Sequence, residues 1–101
     1  MQIYQDVTGN LGAAQPADSA IPANTRSALF HVISSEGGWT QEKFDSYYSL
    51  GNSSYFGESA IVMGGFKERY WGPHYARLLQ VKQKYDPDNF LWCRNCVGSD
   101  L

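Results

Sequence analysis

A single amphipathic helix fenced by two prolines constrains this chain more than any other feature. Gly72-Pro73 opens it, since the fixed φ and missing N–H of proline cost nothing in a first helical turn. Asp86-Pro87 closes it, because proline pushes the preceding residue out of the α region. The spacing between them predicts a helix running to about Tyr85. At about 100° per residue, His74, Leu78, Val81 and Tyr85 share one stripe, flanked by Tyr75, Leu79 and Lys82, while Arg77, Gln80 and Lys84 face away. Lys82 and Lys84 lie where the negative end of the helix dipole favours cations. Beyond the stop, Asp88-Asn89 makes a turn, with Asn89 tolerant of left-handed backbone, and Phe90-Leu91-Trp92 reads as a short strand.

The remaining sequence offers this helix few partners. The chain has 101 residues, at most one domain, and a chain of that size buries only roughly 60–65% of its unfolded surface. Gly9, Gly12, Pro16 and Pro22 punctuate residues 1–27, so a short strand around Ile3 to Thr8 and then loop is expected. Ala28 to Ser34 is a β-branched and aromatic run in which Leu29, His31 and Ile33 point one way and Phe30 and Val32 the other. Apolar residues on both faces predict a strand covered on both sides, ended by Gly37-Gly38. QEKFDSYYSL predicts a helix of about two turns, broken at Gly51 to Ser54. The following stretch reads as loop, with a short extended piece at Ala60 to Met63. Long irregular stretches are uncommon inside compact domains, so this one is expected to lie against a surface outside the chain.

Charge and patterning exclude some classes. A net charge of -2 and no Lys/Arg cluster leave no source for phosphate-backbone binding, so no nucleic-acid partner is expected. No apolar run approaches the ~18 residues of a membrane span, and MQIYQDVTGN has neither the basic start nor the apolar run of a secretory signal. Aromatics are 15% of the chain, seven of them Tyr, which points to faces that pack against something large and flat.

Three features could carry chemistry. Cys93 and Cys96 have the CxxC spacing of redox pairs and of half a zinc site. A redox pair should open a helix, however, and a zinc site needs four ligands, whereas His31 and His74 show no ligand spacing. A structural or incidental pair is the preferred reading, and an oxidising compartment would allow a disulfide. Tyr70 could act as a general base if a polarising group lowered its pKa, or it could simply pack. Glu58 reads as a solvated loop carboxylate, Arg94 as an exposed cation and His74 as a core histidine.

Taken in order, Tyr70-Trp71-Gly72, the Tyr75 to Leu79 run, Val81-Lys82, Tyr85 to Asn89 and the tail from Cys93 to Asp100 resemble the C-terminal segment of berberine-bridge-enzyme-like, FAD-linked oxidases of the vanillyl-alcohol-oxidase type. The match is densest over Phe66 to Asp100 and looser over Gly9 to Trp39. WCRNCVGSD is similar to fungal endings. The resemblance implies an α+β fold of which this chain is an incomplete fragment: a few substrate-domain strands and loops in residues 1–65, then a berberine-bridge-enzyme-like C-terminal segment in 66–101, with one amphipathic helix and a short terminal strand. It implies FAD as cofactor of the complete enzyme, held mainly by a domain or partner chain not represented here, and a small-molecule substrate. It makes Tyr70 the candidate base and sets Glu58, the second catalytic candidate, in the flavin and substrate cavity. Asn95, Gly57, His74 and Cys93 fall on the cofactor side, with Gly57 standing where relatives carry asparagine. Secretion fits a complete family member. The implied function is oxidation of an alcohol, phenol or amine with O2 as acceptor. The alternatives are a truncated, non-catalytic interaction module, with Trp39, Tyr47, Tyr48 and Phe56 as its contact surface, and a small thiol–disulfide protein.

Overall fold

The computed structural model describes residues 2–4, 19–21, 25, 28, 30–34, 37–38, 40–58, 60 and 62–101. Its elements, in chain order, are strand β1 (Gln2–Tyr4), strand β2 (His31–Ile33), helix α1 (Gln41–Tyr48) and helix α2 (Tyr75–Tyr85), with short 3₁₀ turns at Phe56–Glu58 and Gly72–His74 and a π turn at Lys67–Trp71. Gln5 to Thr8, Leu29 and Trp39 lie outside the described residues.

The two strands form an antiparallel ribbon in which Gln2 faces Ile33, Ile3 faces Val32 and Tyr4 faces His31. The expectation of a doubly covered β2 does not hold among the described residues. His31 and Ile33 are half-buried, but Val32 and the neighbouring Phe30 are exposed.

Helix α1 forms from local signals. Thr40 adopts extended backbone and its hydroxyl accepts the Lys43 N–H at 3.3 Å, satisfying one of the orphan donors of the first turn. Gln41 donates to Asp45 at 2.8 Å, and Phe44 stacks on Tyr48 at 5.9 Å, both at the i,i+4 spacing that brings side chains together on a helix. The stretch expected to be extended at Ala60 to Met63 is instead a turn, closed by a bond from the Met63 N–H to the Ala60 carbonyl. Closing it turns Met63 inward, where it is one of two buried hydrophobic residues among those described; the other is Tyr70.

The helix between the prolines is present, but its first turn is 3₁₀ (Gly72–His74) and α2 proper begins at Tyr75. Its packed face is also rotated from the expected stripe. Val81 and Tyr85 are exposed, whereas Tyr75, Leu78, Leu79, Lys82 and Asp86 are half-buried. The reason is the tail, residues 93–101, which folds back onto the Tyr75–Leu79–Lys82 side. Gly98, at φ 80, sits so close there that an added Cβ would lie 3.4 Å from Leu79 Cδ1 and 3.5 Å from Lys82 Cγ.

The short terminal strand is absent. Asp86 accepts the N–H groups of both Phe90 and Leu91, at 2.8 and 3.0 Å, and Lys82, paired with the same carboxylate, donates to the Leu91 carbonyl at 2.8 Å. The groups that a ladder would use are consumed locally, so Phe90 to Trp92 bends instead. Asn89 adopts the left-handed conformation expected of it, at φ 52.

Candidate functional site

The π turn organises the site. One carbonyl, that of Lys67, accepts from the Gly72 N–H five residues on, and Gly72 ends the turn with φ 51, a backbone that favours glycine. This wide turn drives Tyr70 inward to 3% exposure. Phe56 meets the Tyr70 ring edge-on at 5.5 Å, Trp71 lies at 6.2 Å and Phe66 at 6.5 Å. Phe56 also lies 5.5 Å from Trp71. Such pairs add about 0.5–1.5 kcal/mol each beyond their buried area.

From this cluster one line of contacts runs to the tail. Phe66 meets Tyr75 edge-on at 6.3 Å. The Tyr75 hydroxyl accepts the Gly98 N–H at 3.2 Å and donates to Asp100 at 3.1 Å, and Lys67 pairs with the same carboxylate while lying 5.1 Å from the Tyr75 ring centre. The Lys67 bond holds the Asp100 carboxyl below the ordinary carboxylate range, and Asp100 in turn raises the Lys67 ammonium above its own.

A second line runs to a groove. The 3₁₀ turn that carries Phe56 also carries Glu58, whose carboxylate lies 3.6 Å from His31 Nε2. Between β2, α1 and residues 53–63 there is an open groove of about 410 Å³, walled by Phe44, Tyr47, Tyr48, Tyr55 and Met63, with His31 and Glu58 in its lining. Arg69 fixes its floor: the guanidinium lies 4.5 Å from the Tyr48 ring centre and donates to the Tyr48 and Gly51 carbonyls at 3.2 and 3.1 Å. These carbonyls are at and just beyond the end of α1, where a cation is favoured. Burial raises the Tyr48 phenol, the nearby Tyr70 raises it further, and Arg69 opposes both.

The candidate residues are thus distributed rather than gathered. Tyr70 belongs to the buried π turn, His74 to the 3₁₀ turn that follows it, Glu58 to the groove, and Asn95 and Cys93 to the tail. Glu58 is partnered by His31 rather than simply solvated. Gly57 permits a close approach by a neighbouring aromatic ring: its missing Cβ would lie 3.0 Å from the Tyr55 ring. His74 is half-buried but not satisfied, since Nε2 has no hydrogen-bond partner; the same holds for Nε1 of adjacent Trp71. Asn95 adopts φ 60, and Cys93 is bonded to Cys96 with a Cα–Cα distance of 5.3 Å. Arg94 is exposed. Among the described residues no cluster of His, Cys, Asp and Glu could hold a metal, and no helix is long and apolar enough to cross a membrane.

Sequence reasoning missed His31 and Arg69 as site residues. Neither has a local signature: Arg69 acts 18 and 21 residues away, and His31 meets a carboxylate on a distant turn.

Comparison with known proteins bears on the same residues. The family profile for berberine and berberine-like proteins matches residues 54–98, a span holding Gly57, Glu58, Tyr70, His74, Cys93 and Asn95. Residues 54–98 are thus similar to the berberine-like family. The chain is similar to a VAO-type flavoprotein oxidase, VAO615, of Thermothelomyces thermophilus, at 43% identity over 51 residues, or 50% of this chain and 9% of that protein. It is similar to the FAD-linked oxidoreductase apf9 of Gibberella fujikuroi at 43% over 82 residues, 79% of this chain and 14% of the relative. The FAD-linked oxidoreductase easE of Aspergillus fumigatus is 48% identical over 31 residues, 31% of this chain and 5% of the relative. These relatives are fungal, and the chain spans only about a tenth of their length. No solved structure matches the chain. The berberine-like segment thus begins at the loop before Phe56 and ends where Gly98 meets α2.

Proposed function

We propose that this chain contributes part of the substrate domain of an FAD-dependent oxidoreductase with an α+β fold, acting on an alcohol, phenol or amine with O2 as acceptor. The observation that carries this reading is the berberine-like segment itself, since the profile match takes in the buried Tyr70 turn, the Glu58 turn and the tail together. The donor set fits the ring system of FAD and not its diphosphate. Trp71 Nε1 and His74 Nε2 are ring nitrogens without partners, suited to the heteroatoms of a flavin edge. The two cations flanking Tyr70, Lys67 and Arg69, are by contrast committed to Asp100 and to backbone carbonyls. Bound FAD supplies the two-electron acceptor that no side chain provides.

In this reading Tyr70 takes the proton from the substrate hydroxyl or amine. Glu58, steadied by His31, orients the substrate from the groove. Asn95, Cys93, Gly57 and His74 line the cofactor side. The groove rings exclude water and hold a small organic substrate. The phosphate-binding part of the cofactor site is assigned to another domain or chain.

Tyr70→Phe in the complete protein tests the base. With substrate supplied at saturation, turnover should fall by about 10²–10⁴-fold. Undiminished turnover refutes the assignment.

One observation favours a second reading, a non-catalytic interaction module: Tyr85, Phe90, Leu91 and Trp92 are 74%, 88%, 71% and 57% exposed, a run of apolar surface. A flavin absorption band that co-purifies with the complete protein supports the first reading, and its absence supports the second.

A further inference from the structure

We propose that Cys93–Cys96 is a thiol–disulfide exchange site for a dithiol reductant, and that its redox state decides whether the tail stays seated on α2. The inference does not rest on the flavin reading. The pair closes a four-residue turn in which the Cys96 N–H also bonds the Cys93 carbonyl at 3.1 Å, with Asn95 at φ 60 in the third position. Left-handed backbone is unfavourable for a residue with a Cβ, although asparagine tolerates it better than most. The covalent link therefore holds a conformation that one backbone hydrogen bond would hold only weakly.

The two sulfurs are not equivalent. Cys93 is exposed and Cys96 half-buried, so attack falls on Cys93 Sγ. A thiolate of the reductant bonds to Cys93 Sγ, the Sγ–Sγ bond breaks, and Cys96 leaves as a thiolate that takes a proton. The second thiol of the reductant then displaces Cys93, which is protonated in turn. The pair gains two electrons and two protons, and the dithiol becomes a disulfide. Neither cysteine opens a helix, so the pair is suited to be the target of exchange rather than its catalyst.

What the link governs is the seating of the tail. Only Val97 separates Cys96 from Gly98, and Gly98 is the contact on Leu79 and Lys82. The next residues complete the attachment: Trp92 Nε1 donates to the Ser99 carbonyl at 3.2 Å, and Asp100 meets Tyr75 and Lys67. Opening the turn lengthens the lead into all of these contacts at once.

Arg94, exposed between the two cysteines, reports the state. A protease binds its target in extended form, and a cross-linked turn cannot extend. Limited trypsin digestion of the purified chain, with cleavage of the Arg94–Asn95 bond followed by mass spectrometry, should run at least about tenfold faster in dithiothreitol. Cleavage at Lys43 in α1, which carries none of the tail contacts described, serves as the reference. A Cys93→Ser/Cys96→Ser double variant should be cut at the fast rate with or without reductant. Equal cleavage at Arg94 in both states, an equal rise at Lys43, or a variant cut at the slow oxidised rate would each overturn the proposal.

Discussion

Gly98 shows how much a single position decides. Its φ of 80 lies in the left-handed region, while its surroundings offer a methyl group ordinary contact distances of 3.4–3.6 Å to Leu79, Lys82 and Leu101. The penalty of a side chain is therefore one of backbone, not of space. Gly98→Ala should lower stability by about 1–2 kcal/mol in urea unfolding, with Gly98→Asn losing less because asparagine bonds locally in that conformation. Equal losses for the two would place the penalty in crowding. Arg69 carries the opposite lesson. Its planar fork spans two carbonyls and stacks on Tyr48, work that a lysine cannot reproduce, yet nothing in the sequence around it marks it out.

At the scale of elements, α2 and its two attachments are held by charges. Lys82 keeps the Asp86 carboxyl below its ordinary 3.8, helped by the Leu91 and Phe90 N–H groups, and Lys67 with Tyr75 does the same for Asp100. A carboxyl whose folded pKa is depressed contributes stability that is present above the unfolded value and lost as pH falls through the folded one. Acid should therefore release the tail and the post-helix turn together below the ordinary carboxylate range. The Lys67 ammonium, raised above 10.5 by Asp100, contributes stability that is present below the unfolded value and lost as pH rises through the folded one. Trp92 donates to the tail at Ser99, so tryptophan fluorescence followed from neutral pH to both extremes should show an acid and an alkaline transition. Asp100→Asn should remove the alkaline transition and weaken the acid one, and an unchanged alkaline transition would sink the Lys67–Asp100 account. Much at this scale was legible in sequence. The two prolines bounded α2, the turn residue Asn89 took its left-handed backbone, and α1 arose where expected, because these depend on groups a few residues apart. The 90–92 strand was misread because Asp86 takes the backbone groups a strand would need. The buried stripe was misread because periodicity shows that a helix has an apolar face without showing which neighbour covers it.

The whole molecule is a slab of 40 × 37 × 17 Å with 7240 Å² of accessible surface, against about 5700 Å² for a compact monomer of this mass. Its two buried hydrophobic residues among those described, Met63 and Tyr70, come from the turn of the middle stretch and from the π turn. A large aromatic-to-alanine change in a core costs about 3–5 kcal/mol, a large share of the ~5–15 kcal/mol that a whole domain has. Tyr70→Ala should therefore lower the stability of the purified chain by about 3–5 kcal/mol in urea unfolding followed by circular dichroism. A loss below about 1 kcal/mol would show that the ring cluster is not its core.

The sequence by itself determined where the helices lie, that Cys93 and Cys96 could pair, and, through the ordered residues from Tyr70 to Asp100, the kind of protein this segment resembles. These follow from local geometry and from residue types in order, which a one-dimensional string carries in full. Only the tertiary structure decided that Glu58 faces His31, that Arg69 closes α1, that Trp71 and His74 keep buried nitrogens without partners, and that the tail turns α2 onto its Tyr75–Lys82 side. Each of these joins groups distant along the chain, and their meeting is set by packing, hydrogen-bond satisfaction and charge in three dimensions.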